Sequence, residues 1–149
     1  KPDIVRMRLS CREAVADEAK AISFLNTLQQ MSPKDAVTEG YIAATEAVMA
    51  KHAFLPTSKY TWCRQSKEHF RTAVAKAPED LELRFLRVSV QSNLPSFLGM
   101  SKELEVDCRK IIELLPTSKD LQLKTDAATL LIDKGLCDEK SASELRKSR

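Results

Sequence analysis

The side chains best suited to chemistry here are two histidines, four cysteines and a near-balanced set of 24 basic and 21 acidic residues in 149. Cys11, Cys63, Cys108 and Cys137 are widely scattered, with no CxxC pair, and neither His52 nor His69 lies within five positions of a cysteine. Zinc requires Cys and His ligands at short, fixed spacings, or HExxH on one helix face. Neither occurs, so no metal site is expected. A nucleophilic thiol needs a base close enough to make it a thiolate. Nothing local supplies one, and only the fold could bring His52 to Cys63. Gly40, Gly99 and Gly135 stand alone, whereas phosphate-cradling loops need clustered glycines so that backbone amides can approach the ligand. The carboxylate pairs Glu79/Asp80 and Asp138/Glu139 sit at helix starts, where the macrodipole already accounts for them. No catalytic residue, metal or cofactor is expected.

Binding is the chemistry left over. Arg84, Arg87 and Gln91 fall at i, i+3 and i+7 and form a polar stripe between two apolar faces. Two roles are open to it. Each arginine can lie over a neighbouring helix and pair with a carboxylate, for which Glu39, Glu46 and Asp107 are the available partners. Alternatively, the stripe lines a concave face and takes a carboxylate or phosphate bidentately. His52, with Lys51 and Lys59, flanks the turn at Pro56; it either stabilises a helix end or reaches a ligand shared with the arginines. The loop from Asn93 to Gly99 carries Phe97 and Leu98, which plug the end of the core or form an exposed contact patch. His69, beside Glu68 on a polar arc, is expected to be exposed.

The elements that position these residues read as helices. Ala, Leu, Lys and Glu dominate, and β-branched residues never alternate. Ile4, Met7, Cys11 and Val15, then Ile22, Leu25 and Leu28, give two short helices or one bent one. Ser32 caps a third, with Pro33 at its first position and Asp35 in its first turn; Val37, Tyr41, Ala44 and Val48 form its stripe. After Pro56, Thr57 or Ser58 caps a fourth helix carrying Tyr60, Cys63, Phe70 and Val74. The fifth starts at Pro78-Glu79-Asp80 and is apolar on two faces, Leu81/Phe85/Val88 and Leu83/Leu86/Val90, so it is sandwiched between neighbours. Ser101 caps a sixth, with Leu104, Cys108, Ile111 and Leu115. Thr117 and Asp120 begin a seventh that stops at Gly135, and the tail after Leu136 is expected to form one more turn or two before fraying, from about residue 138. Short, proline-marked turns between such helices imply antiparallel neighbours.

Ser66, Phe70, Ala73 and Pro78 resemble the end of a tetratricopeptide repeat, and Pro78-Glu79-Asp80 the turn into the next one. Arg84 and Arg87 stand where that repeat would present an aromatic and a leucine. The resemblance implies an all-α fold of about seven antiparallel helices in stacked hairpins, a right-handed superhelix spanning residues 1–149 as one domain. Ala50 to Lys59, and Arg84 to Gln91 with Asn93, Pro95, Phe97, Leu98 and Gly99, are further similar to an uncharacterised family of small exported bacterial proteins. That resemblance implies an extracytoplasmic home and brings no activity with it.

A formal charge of +3 with both signs interspersed leaves no footprint of a nucleic-acid binder. No apolar run approaches the ~20 residues that span a bilayer. The chain begins at Lys1 rather than methionine, from which a processed or trimmed N-terminus is expected. The expected function is a non-catalytic module that binds a protein or peptide, monomeric or weakly self-associating, with Arg84, Arg87, Gln91, His52, Lys51, Lys59, Asn93 and Phe97 as candidate contacts. An enzyme assembled around His52 and Cys63, or a self-assembling structural subunit, are the competing readings.

Overall fold

The computed structural model describes residues 3–32, 34–94 and 101–148. Every regular element among them is helical: α1 (Ile4–Ala16), α2 (Glu18–Gln30), α3 (Ala36–His52), α4 (Pro56–Lys76), α5 (Leu81–Gln91), α6 (Ser101–Leu114), α7 (Leu121–Asp133) and α8 (Glu139–Ser148), with a 3₁₀ turn at Leu115–Thr117. None of them is long and apolar enough to cross a membrane. The contacts gather into two compact units, Lys1–Pro78 and Glu79–Arg149, and each is described by itself.

Aspartates set most helix starts. Asp3, Asp17, Asp35, Asp80 and Asp120 each accept a backbone N–H of the first turn, satisfying donors that have no partner inside the helix. Asp35, not Ser32, caps α3: its Oδ1 lies 2.7 Å from the Thr38 amide. Thr57 and Ser58 do not cap α4. That helix opens on Pro56, whose fixed φ suits a first helical position, and its N-cap Leu55 makes no side-chain bond. Asp17, in extended backbone, separates α1 from α2, so the opening segment is two helices.

In the first unit α3 is central, packing on α1, α2 and α4. Ala14, Ala21 and Val48 meet with Met49 in a small cluster whose short side chains let α1, α2 and α3 approach closely. Tyr41 meets Phe24 edge-to-face, with ring centroids 6.4 Å apart. Phe70 and Ala73 of α4 are fully buried, and the Ser66 hydroxyl donates to the Ala43 carbonyl at 2.6 Å. Val15, Ile22 and Tyr60, read as apolar-face residues, are exposed instead.

In the second unit Leu81, Val88, Ile111, Leu115, Leu123 and Leu131 form the core. At Gly135 (φ +63) the Leu136 amide reaches back to the Leu131 carbonyl at 2.8 Å and the Gly135 amide to Ile132 at 3.1 Å, closing α7 with a glycine-dependent cap. The segment after residue 138 is not a frayed tail. Asp138 Oδ1 accepts the Ser141 amide at 2.7 Å, and Ala142 and Leu145 bury themselves in the core, so α8 is an eighth helix beyond the seven expected.

Candidate functional site

The polar stripe of α5 is resolved by burial. Arg84 and Arg87 are 7% and 5% exposed, and Asp107 of α6 is fully buried between them. Arg87 Nε and Nη2 donate to Asp107 Oδ2 and Oδ1 at 2.6 and 2.8 Å, and Arg84 Nη1 donates to Oδ1 at 2.8 Å. The Arg87 fork matches the carboxylate's geometry. One acid on α6 thus holds two cations of α5, and the reading of Arg84 and Arg87 as ligand-receiving residues gives way to pairing within the fold. Gln91 is buried too. Asn93 donates to the Ser89 carbonyl at 2.7 Å, and its Oδ1 accepts from Lys134 at 2.9 Å. Phe97 lies outside the described residues.

His52, Lys51 and Lys59 do not converge on a ligand either. His52 Nε2 donates to the Ala14 carbonyl at 2.8 Å, since a carbonyl can only accept, and Lys51 Nζ donates to the Val15 carbonyl at 2.9 Å. Both serve the C-terminal end of α1, where carbonyls lack intrahelical partners and cations are favoured. Lys59 Nζ does the same for α3, donating to the carbonyls of Ala50 at 3.1 Å and Lys51 at 3.3 Å. The proposed base of a His52–Cys63 pairing is therefore committed elsewhere.

Burial disfavours the thiolate at all four cysteines. Burial pushes Cys11 up to about 11 against the pull of Arg12, and Cys108 up to about 11 with help from Asp107 and Cys137. Burial also raises Cys63, despite Lys59, and Cys137, where Asp138 adds to it. A protonated thiol is a poor nucleophile and metal ligand. Among the described residues no group of three or more His, Cys, Asp or Glu side chains is placed to hold a metal ion.

His69 is not simply exposed. Its Nδ1 lies 2.6 Å from Oε1 of Glu46, a glutamate buried on α3. Burial raises the Glu46 carboxyl above its ordinary 4.5, and the hydrogen bond and charge of His69 partly restore it. A carboxyl with a raised folded-state pKa contributes most stability below its unfolded pKa and loses that contribution as pH rises through the folded value. His69→Ala removes the group that opposes this loss. It is expected to cost about 1–3 kcal/mol at neutral pH, where a buried acceptor is left without its donor. The penalty should shrink as pH falls and the raised Glu46 carboxyl takes up its own proton; urea denaturation at neutral and acid pH measures it.

The larger of two concavities open to a ligand lies between α1 and α2, which no sequence motif marks. A groove of about 360 Å³ runs from Asp3, Arg6 and Met31 at one end to Glu13 and Lys20 at the other, over a floor of Met7 and Phe24, with Ser10, Ser23 and Thr27 along its sides. Lys20 and Glu13 pair at 3.0 Å and close the corner end. The lining of α1, from Asp3 to Glu13, spans about 15 Å at the helical rise of 1.5 Å per residue. Methionine and phenylalanine give the floor a soft, adaptable apolar surface. No protein-family model matches the chain, and no curated protein or solved structure does.

Proposed function

We propose that the chain is a non-catalytic binding or scaffold module of stacked helical hairpins, tetratricopeptide-like in arrangement, that receives a short amphipathic helical segment of another protein. The α1–α2 groove carries this reading. Its apolar floor suits an apolar ridge, its length suits about three helical turns, and Arg6 at its open end suits a carboxylate on the ligand. The hairpin arrangement draws support from contacts within each unit. Helices pair in chain order as α1/α2, α3/α4, α5/α6 and α7/α8, and the first helix of each hairpin meets the first helix of the next, α1 with α3 and α5 with α7. A right-handed superhelix, and membership in the family of small exported bacterial proteins with the extracytoplasmic home it implies, belong to the same proposal and rest on the sequence resemblance.

The test is selection of displayed short helical peptides on the full chain, followed by titration against Ser23→Arg/Thr27→Arg. Both positions line the groove and are exposed, so the variant fills the groove without touching the core. Selected peptides should lose about tenfold or more in affinity for it. Peptides that bind the variant as well as the wild type would reject the groove.

A further inference from the structure

The junction between α3 and α4 presents what the fold itself leaves unused. Phe54 is 93% exposed, and Leu55 and Tyr60 beside it are 55% and 58% exposed. Burying a phenylalanine is among the larger gains available to a fold, yet this one stands at the tip of a turn with its ring in solvent. Around it the charge has one sign. Residues 47–67 contain Lys51, Lys59, Arg64 and Lys67 and not one of the 21 aspartates and glutamates in the chain of 149. The carboxylates of the α1–α2 corner lie toward this end of α3, which Lys51 and His52 tie to the end of α1. Among them Glu13 is paired with Lys20, Asp17 caps α2, and Glu18 is exposed.

We propose that the α3–α4 junction is an interfacial anchor that seats the first unit on an anionic lipid bilayer, with Phe54 and Leu55 entering the boundary between headgroups and acyl chains. Tyr60, an amphipathic ring one turn into α4, takes the headgroup level, and the exposed Arg64, one turn further on, meets the anionic headgroups, while Lys51 and Lys59 keep their carbonyl contacts and add to the local positive charge. Apolar insertion and basic attraction are each weak alone and hold a protein when combined. A ring that projects from a turn can enter a lipid boundary without a pocket shaped to receive it, so the lipid surface accounts for both the protruding ring and the cations around it. The proposal is independent of the groove, because the anchor uses none of the groove-lining side chains.

The chain's one tryptophan, Trp62, sits half-buried two residues beyond Tyr60 and reports on this site. The full chain is titrated with phosphatidylglycerol–phosphatidylcholine vesicles and with phosphatidylcholine vesicles alone, following Trp62 emission and co-flotation. Binding to the anionic vesicles should be about tenfold tighter or more, should weaken as salt shortens the screening length, and should be lost in Phe54→Ser/Leu55→Ser and reduced in Arg64→Gln. These exposed positions leave the fold intact, which circular dichroism checks. Ser23→Arg/Thr27→Arg, which leaves Phe54 and Leu55 in place, should keep the vesicle binding that Phe54→Ser/Leu55→Ser loses. Absence of binding would overturn the proposal, as would full binding by Phe54→Ser/Leu55→Ser, which would indicate charge adsorption only. Equal affinity for soluble polyglutamate would assign the patch to an acidic polymer instead and likewise overturn it.

Discussion

Asp107→Ala is expected to lower the stability of the second unit by about 3–5 kcal/mol, read from urea denaturation followed by circular dichroism. The side chain is fully buried and accepts three hydrogen bonds from Arg84 and Arg87. Its removal takes the carboxylate away from two guanidiniums that α5 keeps out of water. Two like charges then share a low-dielectric site, a cost that far exceeds the net value of the original pairing. Asp107→Asn keeps the shape and some of the hydrogen bonding but not the charge, and should fall between the two. Since domains are stable by only about 5–15 kcal/mol, Asp107→Ala removes a large fraction of the total.

Phe70→Ala is expected to cost about 3–5 kcal/mol in the first unit, followed through Trp62 emission. Phe70 is fully buried on α4, between Ser66 and Ala73, where α4 packs on α3. The surrounding helix backbones cannot collapse into the space that an alanine leaves, so the lost transfer energy adds to a cavity cost. Phe54→Ala is the control. With its ring in solvent, it should change stability by less than about 0.5 kcal/mol. The same residue type at two positions sixteen apart thus separates a phenylalanine that holds the fold from one held in reserve for a surface.

These contrasts show which features the sequence made legible. Helical class, the burial of α5 on both of its apolar faces and the stop at Gly135 follow from local periodicity and from one residue that tolerates positive φ, and the structure has all three. The caps were half legible: Asp80 and Asp120 act as helix starts, but at α3 a serine three residues upstream competed with Asp35, and only geometry separates them. The full length of the last helix is not legible, because Ala142 and Leu145 are its two buried apolar residues amid charged neighbours, too thin a stripe to outweigh the polarity.

The site was less legible because its partners are far apart in the chain. Asp107 stood among three candidate acids for the arginine stripe, and nothing in residue spacing selects it from Glu39 and Glu46. Those two turn out to serve α4, through Lys76 and His69. Lys51 and His52 cap α1 from 36 and 38 residues away, a relation that no local pattern encodes. The α1–α2 groove joins Met7 to Phe24 across the Asp17 break, and its serine and threonine walls look like ordinary solvated faces when each helix is read alone.

The central claim is that the charges of α5 build the second unit rather than serve a ligand. Its most direct test is the denaturation midpoint of Arg84→Met/Arg87→Met/Asp107→Leu. Apolar side chains of similar volume need no pairing, so the triple variant should recover most of the stability lost by Asp107→Ala and come within about 1 kcal/mol of the wild type, or exceed it. A wild-type-like midpoint for Asp107→Ala itself, with no difference between single and triple variants, would contradict the account.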